Sequence, residues 1–230
     1  MPSAPIDRLL NECKYEELRF LYNNSCKKHG HRYIEHYGCY LHEFPHKEKI
    51  AFFDIESGGS LSADFGYCFC YCIKELNGKV FKNCITPKEV HDPKVRDKRL
   101  VRDLCNHLKQ YDLVVVYYGN GKYRHDLPFV RTRAVKWGLE FPPEKILKVM
   151  DVYDTIKLKF KLARNRMNDA CRLFNIPLKN DAVNPEIWQS ALTGQQKALD
   201  YIVNHCIEDV KKLEKLYKLV VPYRNTRSNL

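Results

Sequence analysis

The sequence predicts an α/β fold built on a mixed β-sheet whose first strand is central, and three observations support this prediction. A short apolar run that ends in two acids predicts a buried first strand at residues 50–56. Two further strands follow in hairpin order, at residues 65–73 and 80–85. A helix and then an uninterrupted apolar strand at residues 113–118 come next, and such strands are typical of sheets covered on both faces.

The second strand is rich in cysteine and aromatic residues, and a turn signal follows it. Three cysteines occupy alternate positions of the strand, Cys68, Cys70 and Cys72. Because side chains alternate along a strand, we expect all three on one face, opposite the aromatic residues, as small buried apolar groups rather than metal ligands. Asn77 and Gly78 then predict a tight hairpin turn.

The helices are predicted from apolar residues that recur every three or four positions. They lie at residues 5–22, 99–108, 164–175, 184–192 and 195–220. A fifth strand is predicted at residues 146–152. The segment at residues 156–162 alternates lysine with apolar residues, which fits either a basic edge strand or a distorted helix.

The composition indicates a basic globular protein. The chain has 230 residues, of which 44% are hydrophobic, so it can bury a sizeable core. We expect a main domain at residues 48–224, preceded by a small unit at residues 1–47 and followed by a polar tail at residues 225–230. The formal net charge of +11 favours polyanionic partners, nucleic acid first and an anionic membrane surface second; an ordinary soluble basic surface is the alternative.

Neither a membrane span nor an export signal is predicted. No apolar run is long enough to cross a bilayer, and the N-terminal residues M-P-S-A-P-I-D-R do not form a signal peptide. The ten cysteines are scattered rather than arranged as a disulfide framework, so we expect reduced thiols. These features predict an intracellular, cytoplasmic protein, and a nucleoid or nuclear location fits them as well.

Asp54 and Glu56 end the first strand, and their spacing places both carboxylates on one face. Like charges this close repel each other, and burial raises the cost, so a fold retains such a pair only if a cation lies between the acids or one acid stays protonated. Mg²⁺ and Mn²⁺ prefer oxygen ligands of this kind. A strand end at which both acids are simply solvated is the alternative.

Two later acids stand where they could join this pair. Asp126 follows the loop after the strand at residues 113–118, and parallel sheets bind ligands beside such loops; as a helix cap it would have a purely structural role. His205 and Asp209 lie four residues apart on the last helix and therefore share a face. An ordinary surface pair is the alternative interpretation of these two residues.

Together, these motifs resemble those of the DEDD 3′–5′ exonucleases of the ribonuclease H-like superfamily, in particular its stand-alone microbial and viral domains. The matching motifs are D-I-E at the first strand, G-N followed by D-L-P-F around Asp126, and H-C-I-E-D-V-K-K-L on the last helix. The resemblance covers residues 48 to about 222. It implies a five-stranded sheet in the order 3-2-1-4-5 with helices on both faces.

The same resemblance implies a divalent-metal-dependent hydrolase that shortens single-stranded DNA or RNA from its 3′ end. Four acids would hold two Mg²⁺ or Mn²⁺ ions: Asp54, Glu56, Asp126 and Asp209. His205 would orient or deprotonate the attacking water. It stands four residues before Asp209, which is the spacing of the family's tyrosine type, whereas the histidine type uses five.

Cations and aromatic rings near the third acid are candidates for gripping a single-stranded end by ion pairing and base stacking. These residues are Tyr118, Lys122, Tyr123, Arg124, Arg131 and Arg133. Tyrosines beside basic residues are also common on ordinary protein surfaces. Two other functions would use the same features: a structure-specific endonuclease, and a nucleic-acid-binding module without catalysis.

A separate group of metal-binding residue types precedes the main domain. The segment at residues 26–42 contains the pairs Cys26-x₂-His29 and His36-x₂-Cys39, each with the short spacing of half a zinc knuckle. These four residues would form one closed structural zinc site, with His31 as an alternative to His29. The other interpretation is a short basic and aromatic loop whose histidines bind no metal.

Overall fold

A five-stranded mixed sheet with the strand order 3-2-1-4-5 forms the centre of the larger part of the chain. The computed structural model describes residues 15–44, 48–121, 124–143, 147–179 and 182–224. Contacts divide the chain into two units, Met1–Glu48 and Lys49–Leu230, and the sheet belongs to the second. Its strands are β1 (Ile50–Gly58), β2 (Tyr67–Glu75), β3 (Val80–Cys84), β4 (Leu113–Val116) and β5 (Lys148–Asp151).

The pairing of the strands confirms the predicted mixed sheet with a central first strand. β1 runs antiparallel to β2 and parallel to β4, while β4 runs parallel to β5. The predicted hairpin joins β2 to β3, and Asn77 in its turn has a left-handed φ of 57°. The strand order is the one that the resemblance implies.

The other regular elements of the described chain are helices. In the first unit they are α1 (Tyr15–Asn23) and α2 (Tyr37–Glu43). In the second they are α3 (Pro87–His91), α4 (Lys98–Leu108), α5 (Asp126–Lys136), α6 (Val152–Lys159), α7 (Met167–Leu173), α8 (Pro185–Leu192) and α9 (Gln196–Val220), and a 3₁₀ turn follows at Val221–Tyr223. Within the described ranges, no helix is both long and apolar enough to cross a membrane.

Two of the predicted elements need correction or lie partly outside the described residues. The edge-strand interpretation of residues 156–162 is wrong, because α6 keeps the chain helical as far as Lys159. The side chain of Asp151 accepts a hydrogen bond from Tyr153 N and so caps this helix. Residues 5–14 of the first predicted helix lie outside the described residues.

Two hydrophobic clusters cover the two faces of the sheet. β1 alternates between them, since Phe52 lies in one cluster and Phe53 in the other. α9 packs on the Phe52 side, where the rings of Phe52 and Tyr217 meet edge-to-face with centroids 5.3 Å apart. α4 and α5 cover the Phe53 side. The same alternation directs Asp54 and Glu56 toward the side of the sheet that α9 covers.

An irregularity in the pairing of β1 with β2 moves one of the three strand cysteines to the opposite face. Cys70 and Cys72 lie in the Phe52 cluster, while Cys68 lies in the other cluster. All three are fully buried, which confirms their predicted place in the core. The prediction that they share one face is wrong for Cys68, because the register shifts between Glu56 and Ser57.

Candidate active site

β1 and α9 bring three of the predicted residues together. Glu56 of β1 and His205 and Asp209 of α9 offer ligand atoms that all lie within 4.8 Å of one another. His205 Nδ1 lies 3.9 Å from Asp209 Oδ1, and burial lowers the pKa of the imidazole. A contact of 3.5 Å from Cys206 Sγ to the backbone oxygen of Asp54 joins the helix to the strand at this level.

Asp126 is the first residue of α5, and its side chain is buried. Leu127 N donates to the backbone oxygen of Gly119 at 2.9 Å, which ties the start of the helix to the loop after β4. A Cβ at Gly119 would collide with Asp126 Oδ2 and with Val116, so only glycine leaves room for this carboxylate. The N-cap position belongs to His125, and the capping role considered for Asp126 is therefore wrong.

Burial and neighbouring carboxylates raise the pKa of three of the predicted acids. Burial raises the pKa of Asp54 well above its usual value, and the three other carboxylates raise it further. Burial, followed by the charges of Asp209 and Asp126, raises the pKa of Glu56 to about 8. Burial also raises the pKa of Asp126 to about 8, with Asp151 and Asp209 adding to the shift. Residues from β1, α5 and α9 thus converge in one strongly negative cluster.

Lys212 is a buried cation beside this cluster that was not predicted from the sequence. Its Nζ lies 2.6 Å from Asp209 Oδ1 and donates to Asn168 Oδ1 at 3.1 Å. The ammonium group lowers the pKa of Glu56, but one positive charge does not balance four carboxylates. Its position three residues after Asp209 on a helix was the signal that could have identified it.

Asp151, at the end of β5, fixes the loop that leads from β4 to Asp126. Its carboxylate accepts hydrogen bonds from Tyr118 N at 2.8 Å and from Asn120 N at 3.1 Å. It also pairs with Arg124, whose Nη1 lies 2.6 Å away. These bonds hold Tyr118 in a left-handed conformation with φ 60°. The position of Asp151 near the end of the predicted strand at residues 146–152 was the available signal for this role.

Tyr118 and Arg124, two of the predicted nucleic-acid contacts, line an open surface cavity of about 350 Å³ beside this loop. The Tyr118 ring is exposed and meets Tyr153 edge-to-face with centroids 4.7 Å apart. The Arg124 guanidinium lies 5.4 Å and 5.2 Å from the centroids of these two rings. It also forms ion pairs with Asp151 and Asp154, so these carboxylates partly neutralise its charge.

The remaining predicted contacts lie elsewhere, and one of them is wrong. Arg133 is buried and bound by Asp97, whose Oδ2 accepts from its Nε at 2.9 Å, so its guanidinium cannot reach a nucleic acid. Arg131 is partly exposed, and its guanidinium lies 5.3 Å from the ring centroid of Phe141. Lys122 and Tyr123 lie outside the described residues.

The carboxylate cluster fits a hard divalent cation. Its donors are oxygen atoms, which Mg²⁺ and Mn²⁺ prefer. Burial raises the pKa of Glu56 and Asp126, and the negative excess that ionisation of all four acids would leave beside Lys212 adds to the rise. A bound cation would reverse that shift. The residues present are therefore chemically suited to Mg²⁺ or Mn²⁺.

The Cys/His segment of the first unit forms a cluster of its own. Cys26, His29 and Cys39 offer ligand atoms within 4.8 Å of one another, and so do His29, His31 and His36. The two groups share His29, so the structure brings all four predicted zinc ligands together with His31 beside them.

Solved structures with a similar fold have low sequence identity to this chain. The family B DNA polymerase from the hyperthermophilic archaeon Pyrobaculum calidifontis matches with a TM-score of 0.60 and 18% identity, over 78% of this chain and 25% of the polymerase chain. This chain thus spans about a quarter of that polymerase. Brucella melitensis NrnC matches with a TM-score of 0.38 and 14% identity, over 77% of this chain and 82% of NrnC. The likeness to the polymerase concerns the fold alone.

The sequence provides the family assignment. A comparison with curated protein sequences finds no significant match. The RNase_H_2 family, described as part of the RNase H superfamily, matches residues 51–221. This range contains the four acids, His205 and Lys212. Because the match covers most of the length of this chain, the chain belongs to the RNase_H_2 family of the RNase H superfamily.

Proposed function

We propose that this protein is a divalent-metal-dependent nuclease that hydrolyses phosphodiester bonds as a 3′–5′ exonuclease on single-stranded DNA or RNA. One observation carries the proposal, the convergence of four buried or half-buried carboxyl groups from three elements. Such a cluster is unfavourable without cations, and a structural role does not account for it. Membership of the RNase H superfamily also supports a nuclease function.

The four acids would hold two Mg²⁺ or Mn²⁺ ions: Asp54, Glu56, Asp126 and Asp209. Bound ions of this kind activate a water molecule and stabilise the charge that develops on the phosphate. The protein keeps the ligands in position. β1 presents two of them on one face, Gly119 leaves room for the third, and Lys212 holds the fourth by an ion pair.

His205 would accept the proton of the attacking water. Its Nδ1 lies 3.9 Å from Asp209 Oδ1, so the imidazole stands beside a proposed metal ligand. A neutral imidazole is suited to this task near neutral pH, because it takes up a proton without a large energetic penalty. This role follows from position, although the spacing to Asp209 is that of the tyrosine type of the DEDD exonucleases.

The open cavity beside the Asp126 loop would hold a nucleotide of the substrate. Tyr118 provides an exposed ring for stacking on a base, and Lys157 provides a positive charge for the phosphate backbone. Base stacking on a tyrosine tolerates all four bases, so the grip would depend little on sequence. The net charge of +11 would attract a polyanion to the protein.

Activity on a labelled single strand tests the proposal with a matched pair of variants. Asp209→Asn removes a ligand and should lower Mn²⁺-dependent hydrolysis by about 100-fold or more. Asp200→Asn makes the same substitution on an exposed position of the same helix and should leave the activity unchanged. Equal activity of the parent and both variants would exclude these acids as the catalytic site.

The form of the products separates the proposed activity from its two alternatives. With a 5′-labelled strand, a 3′–5′ exonuclease yields a ladder of labelled fragments, and a blocked 3′ end or a circular strand stops it. A structure-specific endonuclease would cut the circle. A module without catalysis would bind the strand and leave it intact with either metal. DNA and RNA strands of one sequence, tested side by side, identify the preferred sugar.

A further inference from the structure

We propose that the first unit binds one structural Zn²⁺ ion through Cys26, His29, His36 and Cys39, independently of the nuclease proposal. Three sulfur–nitrogen pairs among the four donor atoms already lie near the spacing of ligands. Cys39 Sγ is 3.3 Å from His29 Nδ1 and 2.9 Å from His36 Nδ1. Cys26 Sγ is 3.8 Å from His29 Nδ1.

These separations are those of a tetrahedral zinc site. With Zn–S near 2.3 Å and Zn–N near 2.0–2.1 Å, a sulfur and a nitrogen at the tetrahedral angle lie about 3.6 Å apart. The three observed sulfur–nitrogen distances range from 2.9 to 3.8 Å, and this range includes the expected value. Two thiolates and two imidazoles are also a common ligand set for structural zinc.

A tight turn builds the first half of the site. Gly30 N donates to the backbone oxygen of Cys26 at 3.0 Å, and Gly30 has the left-handed φ of 72° that favours glycine. His29 N donates to Cys26 Sγ at 3.2 Å, which directs the sulfur toward the turn. An isolated antiparallel bridge between Ser25 and Arg32 closes the loop.

The start of α2 builds the second half. His36 is the N-cap residue of this helix, and Cys39 follows three residues later, so the two side chains lie on one face. Cys39 N donates to the backbone oxygen of His36 at 3.0 Å, which closes the first turn. This helix was not predicted from the sequence, which left a zinc knuckle and a loop without metal as the two interpretations of the segment.

The apolar core of this unit is small within the described residues. Its fully buried hydrophobic members there are Leu21, Cys26 and Tyr33. Small domains of fewer than about 70 residues commonly add a metal or disulfides to such a core. Cys26 and Cys39 are free thiols rather than a disulfide. A zinc ion would supply the cross-link between the turn and α2.

His31 lies beside the site without being one of its ligands. Its ring stacks on that of His29, with centroids 5.8 Å apart. Two cysteines and two histidines complete four-coordination, so the site would be closed and structural rather than catalytic. Because zinc displaces the thiol protons, its affinity should fall at acid pH.

Metal analysis of the whole chain, purified with reduced thiols, tests this inference. The Asp209→Asn background prevents zinc in the carboxylate cluster from being mistaken for the proposed site. We expect one zinc ion per chain, and close to none in Cys39→Ser or His29→Ala. His31→Ala is the matched control, and it should keep the ion.

Cobalt substitution identifies the ligands by spectrum. Co²⁺ in the proposed site should show the intense visible bands of tetrahedral coordination and sulfur-to-metal charge transfer, which oxygen ligands do not give. A reduced, metal-free chain that takes up Co²⁺ without these bands, or takes up none, would overturn the proposal. Equal metal loss in His31→Ala and His29→Ala would overturn the ligand assignment. Neither result depends on nuclease activity.

Discussion

Lys212 is a single buried positive charge beside four carboxylates, and the site depends on it when no metal is bound. It pairs with Asp209 at 2.6 Å and binds Asn168. Burial and the charges of Asp209 and Asp126 raise the pKa of Glu56, and the ammonium group of Lys212 opposes this rise. A bound cation and Lys212 would therefore act on the same excess of negative charge.

We predict that Lys212→Met destabilises the metal-free protein by about 3–5 kcal/mol, because it leaves Asp209 without its buried partner. The neighbouring Lys211 is the matched control, since its side chain is 41% exposed and pairs with the partly exposed Glu208. Lys211→Met should cost less than about 1 kcal/mol. Urea unfolding in the presence of a chelator measures both changes in the free energy of unfolding. Equal losses would show that the ion pair of Lys212 with Asp209 stabilises the protein no more than that of Lys211 with Glu208.

Residue-level prediction succeeded where the chemistry is local and failed where partners are distant. The spacing of Asp54 and Glu56 on a strand was enough to place both carboxylates on one face. Arg133 was assigned to nucleic acid, but its partner Asp97 lies 36 positions earlier. No pattern in the sequence connects these two residues, and the packing of α5 against α4, whose N-cap residue is Asp97, brings them together.

At the scale of elements, the loop from β4 to α5 positions Asp126. Asp151 of β5 binds its backbone at Tyr118 and Asn120, and Gly119 allows the helix start to approach closely. The loop is therefore held from the neighbouring strand in addition to its own backbone hydrogen bonds. A small displacement here would move a metal ligand.

We predict that Gly119→Ala lowers nuclease activity by about 100-fold, because the new methyl group displaces the Asp126 carboxylate. The free energy of unfolding should fall by about 1–3 kcal/mol through overpacking. Gly38→Ala is the control, since nothing lies within 4 Å of its added methyl group. An active Gly119→Ala variant would mean that Asp126 tolerates this displacement and is not a ligand.

Strands were predicted more reliably than the connections between them. Continuous apolar runs defined β1, β2 and β4, whose bounds the structure shifts by no more than two residues. The bulge that turns Cys68 away from Cys70 leaves no trace in an alternating sequence. The short helix α2 was missed because its cysteine and histidine residues do not form an apolar stripe.

For the whole molecule, the raised pKa values of Glu56 and Asp126 link stability to pH. The usual values are 4.5 and 3.8, and both rise to about 8 in the folded, metal-free protein. The folded state therefore binds protons that the unfolded state has released. The stability these groups contribute is fully present below about pH 4 and is lost as the pH rises through about 8, at about 1.4 kcal/mol per pH unit and group.

We predict that the metal-free protein becomes less stable between pH 6 and pH 8, and that Glu56→Gln makes this decline shallower. Mg²⁺ or Mn²⁺ should raise the melting temperature more at pH 8 than at pH 6, because protons compete with the metal for the carboxylates. Thermal unfolding with chelator or with metal measures both effects. Parallel pH profiles for the parent and Glu56→Gln would contradict the raised pKa of Glu56.

The central claim is that the four carboxyl groups form one site for divalent cations, and anomalous scattering from crystals soaked in Mn²⁺ tests it most directly. The account predicts manganese peaks in contact with Asp54, Glu56, Asp126 and Asp209, and their loss in Asp54→Asn crystals. Soaked crystals without manganese at these carboxylates, under conditions in which the protein degrades a single strand, would contradict it.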